Sequence, residues 1–130
     1  MPLARISHLA GKSPAQIRAM SAGIQAALVA HFNVPANDLF QIITEHAGSE
    51  TLISASSFLD ISHTSNLVYV QITISEGRTV AMKKALFYDI AHHLARDCGV
   101  RKEDVIITLI EGKRENWSFG NGLMQFPPAG

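Results

Sequence analysis

The chain has a single cysteine in 130 residues, Cys98, so no disulfide can close within it. Its six histidines show no ligand spacing, since His92 and His93 are adjacent on a predicted helix and His8, His31, His46 and His63 are scattered, so no metal centre and no cofactor is expected. Eleven Lys and Arg balance eleven Asp and Glu, which leaves a formal charge of zero and no basic run. A nucleic-acid or anionic-membrane partner therefore lacks its electrostatic footprint. No apolar stretch approaches the roughly 20 residues that span a bilayer. The start, Met1-Pro2-Leu3-Ala4-Arg5, is no basic patch before an apolar run, so no secretion signal is read and the cytoplasm is the expected location. What remains is a chain of one domain's length that can bury about two thirds of its unfolded surface.

An internal repeat organises that chain. Gly11 and Gly77 stand 77 − 11 = 66 positions apart, and the same shift pairs Ile6 with Ile72, Ile24 with Ile90, Leu28 with Leu94, Val34 with Val100, Asp38 with Asp104 and Glu45 with Glu111. Unmatched positions keep their chemistry: Lys12 falls on Arg78, Ser13 on Thr79, Arg18 on Lys84 and Asn33 on Gly99. A single domain over 1–130 is expected, with duplicated units at 3–45 and 69–111, a linker at 46–68 and a C-terminal arm at 112–130.

Each unit reads strand, turn, helix, turn, strand. The strands are predicted over 3–9, 39–45, 67–75 and 105–111; the third, LVYVQITIS, is rich in branched residues. Ser13 followed by Gln16 has the pattern of a capping box, and Thr79 holds the same place in the second unit. Ile17, Met20, Ile24 and Leu28 fall on one helical face, as do Leu86, Ile90 and Leu94. Asn33 and Gly99 tolerate the left-handed conformation that ends a helix. Right-handed crossovers then give two tandem βαβ units and an α/β fold, one four-stranded sheet with both helices on one face. The run VIITLI, residues 105–110, is apolar on both faces, although helices can cover only one. The bare face calls for a partner chain.

Pro2 is the residue with unusual chemistry. Methionine is removed efficiently before a small residue, and proline is small enough, so the mature chain is expected to begin with a secondary amine. Such an amine is rigid, more nucleophilic than a primary one, and able to exchange a proton near neutral pH. Many chains carry a second-position proline without using it.

Taken together, Pro2 opening the first strand, the two βαβ units, Val34-Pro35 followed by Asp38, Arg78 after the third strand, Asp97-Cys98-Gly99-Val100 and Trp117-Ser118-Phe119-Gly120 resemble the tautomerase superfamily. The branch most similar is the malonate semialdehyde decarboxylase group. This resemblance implies a homotrimer whose three sheets enclose a central barrel. It implies a catalytic Pro2, as base in tautomerases or as a cation polarising a carbonyl in the decarboxylases, with Asp38 beside it. Arg78 would grip a substrate carboxylate, Trp117 and Phe119 would form an apolar wall, and Lys12, the repeat partner of Arg78, is a further substrate-binding candidate. In the decarboxylases a pair of arginines flanks this turn; here the segment is Glu76-Gly77-Arg78. Exchanging a cation for an anion should weaken binding of a small, carboxylate-dominated substrate.

Three functional readings follow. The first is keto-enol tautomerisation of a small 2-oxo acid, the second a decarboxylase-like carbon-carbon lyase, the third a non-catalytic βαβ module that binds a small ligand. Asp104 shares the local setting of Asp38 and is read as a turn residue. Cys98, at a helix end, is read as a small buried residue.

Overall fold

A computed structural model describes residues 1–130. The first unit is β1 (Pro2–Leu9), α1 (Pro14–Phe32) and β2 (Gln41–His46). A two-residue hairpin pair, β3 (Ser57–Phe58) and β4 (Ile61–Ser62), interrupts the polar linker, with Leu59 and Asp60 at positive φ in its turn. The second unit is β5 (Val68–Ser75), α2 (Val80–Cys98) and β6 (Val105–Gly112). The first strand of each unit and its helix stand 66 positions apart to the residue, as the repeat predicts.

Local signals set the helix ends. Ser13 and Gln16 form the reciprocal capping box, and Thr79 accepts from the Met82 amide. Asn33, at φ 55°, and Gly99, at φ 66°, close the two helices. Strand β2 starts two residues later than the hydrophobic run suggests, because Leu39 and Phe40 turn half-exposed toward the end of the sheet. The carbonyl of Phe40 nonetheless accepts the first rung, from the Ala4 amide at 3.1 Å.

The sheet order is β2-β1-β5-β6, with both βαβ pairs parallel and the central β1-β5 pair antiparallel. Along β1 and β5, alternate residues turn toward the helices: Ala4, Ile6, Val68, Val70, Ile72 and Ile74 are at most 1% exposed. They pack against Met20, Ile24, Leu28, Leu86, Ile90 and Leu94 in one cluster. Gly23 lets α1 approach α2, since a Cβ there would come within 3.0 Å of the His93 Cβ. The other face has no helix. Its middle row, Ile42, Arg5, Gln71 and Thr108 across the four strands, is exposed throughout. No helix is long and apolar enough to cross a membrane.

Candidate active site

Antiparallel pairing of β1 and β5 brings four chain segments to one end of the sheet. Pro2 at the start of β1 lies opposite Ile74 near the end of β5, and Ser75 lies opposite Gly112 at the end of β6. The loop from α1 into β2 arrives at the same end, because β1 and β2 are parallel.

That loop presents Asp38. The Asp38 amide donates to the Pro35 carbonyl at 3.0 Å, and Gln25 of α1 donates to the Asp38 carbonyl at 3.1 Å, so the backbone is held on both sides. Its carboxylate remains available to the chain terminus. The register that sets Ala4 opposite Gln41, continued back three places, brings Met1 level with Asp38. Accordingly, the Met1 ammonium lies 3.0 Å from Asp38 Oδ2, with side chains only 6% and 17% exposed. Water screens such a partly buried pair poorly. Pro2 is buried one residue behind it, its nitrogen held in the Met1–Pro2 peptide bond.

Met1 and Asp38 line a cavity of about 250 Å³ with Pro35, Asn37, Phe40, Phe119 and Phe126. Its apolar wall is an aromatic stack. Phe119 lies 5.3 Å from Trp117 with planes 7° apart, 5.4 Å from Phe40, and 6.3 Å from Phe126 edge-on. Trp117 and Phe119 thus belong to this end of the sheet, whereas Phe40 and Phe126 were not singled out in the sequence. Phe40 was absorbed into a strand run, and Phe126 had no marker beyond the prolines after it.

Arg78 has more bonds to the protein than a free substrate clamp would. Nη1 donates to the carbonyl and hydroxyl oxygens of Ser75, both at 2.9 Å, and Nη2 donates to the Phe32 carbonyl at 3.1 Å. The Phe32 oxygen is one of those left without a partner at the end of α1, where a cation also suits the helix dipole. The guanidinium sits over the Phe32 ring at 5.3 Å. Of its five N–H donors, three are used, leaving Nε–H and one Nη2–H. No carboxylate pairs with it. Burial lowers the Arg78 pKa, Arg114 lowers it further, and Glu111 and Asp38 oppose the shift. Arg114 stands on the turn that follows β6.

Lys12 is not brought to this site within one chain. It follows the other end of β1, a strand of eight residues and so roughly 25 Å long. There Nζ donates to Asn66 Oδ1 at 3.0 Å, and burial lowers its pKa against the opposing charges of Cys98 and Glu45. Glu76 lies at the Pro2 end, in a cleft of about 610 Å³ shared with Arg114, Gln125 and Phe126. The largest groove, about 790 Å³, runs between the outer face of α1 and β2; its lining of Ile17, Ala22, Val29, Leu39 and Ile43 offers packing surface rather than reactive groups.

A family model described as tautomerase enzyme matches residues 38–120. The chain is 37% identical over 125 residues to the probable tautomerase YusQ of Bacillus subtilis (strain 168), covering 96% of this chain and 98% of that one. Among solved structures, a malonate semialdehyde decarboxylase inhibited by 3-bromopropiolate superimposes with a TM-score of 0.87 at 33% identity, over 95% of this chain and 92% of that one. A fused 4-OT wild-type symmetric trimer shares the fold, with a TM-score of 0.77 at 21% identity over 93% of this chain and 94% of that one.

Proposed function

The chain belongs to the tautomerase family, and from that premise we propose that it interconverts the enol and keto forms of a small 2-oxo acid, using the amine of Pro2 after Met1 is removed. The observation that carries this reading is the contact between the chain terminus and Asp38. Met1 fills part of the wall of a cavity already lined by Asp38 and three phenylalanines. Its loss would enlarge that cavity in front of the proline nitrogen and leave Asp38 facing a secondary amine. An amine in a half-dry pocket near Arg78 is pushed toward the neutral form, while the carboxylate pulls it back. A neutral Pro2 takes a proton from the substrate oxygen or carbon and returns it to the other, with the tail of the substrate against Phe119 and Trp117.

The decarboxylase reading has support of its own, the 33% identity to a malonate semialdehyde decarboxylase. Glu76, at the same end of the sheet as Arg78, weighs against it for so small an anion. Both readings are tested by a pH-rate profile for ketonisation of an aryl enolpyruvate, run beside malonate semialdehyde, on protein whose intact mass lacks methionine. A base is active when deprotonated, so kcat/KM for the enol should rise with pH through the pKa of Pro2 and level off. A profile that only falls with pH, joined to faster turnover of malonate semialdehyde, would replace the tautomerase reading by the lyase.

We also propose a homotrimer, with the bare face of each sheet turned to a shared interior. Exposed Ile42 and Ile110 on edge strands β2 and β6 favour such cover. Light scattering should give three times the 14.1 kDa chain mass, and a monomer at assay concentration would remove this proposal. The single free cysteine suits a reducing compartment, and we place the enzyme in the cytoplasm.

A further inference from the structure

The turn that presents Asp38 occurs twice. In the first unit the Asp38 amide donates to the Pro35 carbonyl at 3.0 Å; in the second the Asp104 amide donates to the Arg101 carbonyl at 2.9 Å. The two copies are anchored differently. In the second, the carboxylate of Asp104 is itself the anchor, accepting from the Thr64 amide at 2.8 Å and from the Thr64 hydroxyl. In the first, the anchor lies outside the aspartate side chain: Gln25 Nε2 on α1 donates to the Asp38 carbonyl at 3.1 Å and to the Ala36 carbonyl at 3.4 Å. The Asp38 carboxylate is left to the terminal ammonium, 3.0 Å away. On the reading that Asp38 serves the terminal amine of an enzyme site, we propose that Gln25 is its positioning residue: by bracing the backbone on either side of Asn37, it relieves the carboxylate of structural duty and aims it at the amine.

The two units differ in sequence where this brace stands. Gln25 and Ser21, one turn earlier, form a half-buried polar row on α1. The Ser21 hydroxyl donates to Gln41 Oε1, and Gln41 Nε2 donates to the Ser21 carbonyl at 3.1 Å, which ties the first residue of β2 to the same helix face. The stretch from Asp38 to Gln41 is therefore fastened to α1 at both ends. At the corresponding places, 66 positions on, the second unit has Phe87, Ala91 and Ile107, none of which has a polar side-chain atom. Core packing cannot do the same work in the first unit, because Leu39 and Phe40 are half-exposed. An aspartate side chain is short, so its carboxylate goes where its backbone goes, and a misplacement of about 1 Å is enough to cost a catalytic contact about a hundredfold. The amide group of Gln25 has two N–H donors, one for each carbonyl of the loop.

A double-mutant cycle with Asp38→Asn, read by two probes, tests the proposal. The first probe needs no turnover: NMR titration of the isotope-labelled terminal amine. Gln25→Met keeps the length of the side chain and removes its N–H pair, so the carboxylate should drift from the amine and the titration should move to lower pH. Gln25→Ala should move it the same way, and neither substitution should move it further in the Asp38→Asn background. The second probe is ketonisation of an aryl enolpyruvate. There Gln25→Met should lower kcat about five- to twentyfold with KM held within about twofold, and should add nothing to the loss in Asp38→Asn. An unmoved titration in both Gln25 variants would overturn the proposal even if they melted earlier, since Gln25 would then brace α1 against the loop and nothing more. A kcat loss as large in the Asp38→Asn background as in the unaltered protein would also overturn it. A moved titration in a protein that turns over no enol would uphold the hold of Gln25 on Asp38 and remove the tautomerase reading instead.

Discussion

The two ends of the central strand pair are built by the same duplicated sequence, yet their charged side chains are partnered differently. At one end stand Pro2, Asp38 and Arg78; shifted by 66 positions, the other end has Val68, Asp104 and Lys12. Asp38 faces the chain terminus, while Asp104 is fully buried and accepts from the Thr64 amide at 2.8 Å and from its hydroxyl. Arg78 has no carboxylate or side-chain amide partner. Lys12 is held by the side chain of Asn66. The linker makes the difference: as it runs into β5, its Thr64 and Asn66 supply the partners of Asp104 and Lys12.

The comparison is broken most completely by giving the first unit the continuity of the second. One residue added before Pro2, in a form that resists removal, would lock the amine proposed as the proton carrier into an amide. Ketonisation should fall by about 10²- to 10⁴-fold with an unchanged melting curve, and retained activity would exclude Pro2 as the proton carrier. Next in size is a contrast between the paired aspartates. Asp104→Ala strips a buried carboxylate from two donors and should cost about 2 to 4 kcal/mol in denaturant unfolding. Asp38→Asn should change stability by no more than about 1 kcal/mol and lower kcat/KM about tenfold to a hundredfold. Reversal of those two outcomes would mean that the ends had been assigned the wrong way round. The smallest effect concerns Lys12, whose ammonium is disfavoured by burial. In the window below its ordinary value of 10.5 the unfolded chain binds more protons than the folded one, so this residue makes stability rise with pH there. Lys12→Gln should flatten that part of the curve with no effect on turnover. A curve of unaltered slope would deny the burial its consequence.

Much of this was legible in the sequence, because periodicity and capping are local. Ser13 with Gln16, Asn33, Thr79 and Gly99 end the helices where their chemistry predicts. The 66-residue shift carried strand pairing with it. Side-chain partnership was less legible. Nothing near Arg78 in sequence announces that Phe32, 46 positions away, will take one of its donors. Phe126 was missed for the same reason: a turn-rich arm shows no period, and its direction across the site depends on tertiary packing. The candidacy of Lys12 rested on symmetry, and symmetry sends it to the opposite end.

Arg78 also acts as a mechanical fastener. Its bonds to Ser75 and Phe32 join the last residue of β5 to the last residue of α1, and so rivet one half of the duplicated fold to the other. Ligand that takes hold of the same guanidinium would stiffen the rivet. Amide exchange in the final turn of α1, on the far side of Phe32 from the ligand, would then slow on binding, so that occupancy of a surface cavity is felt as rigidity in the core.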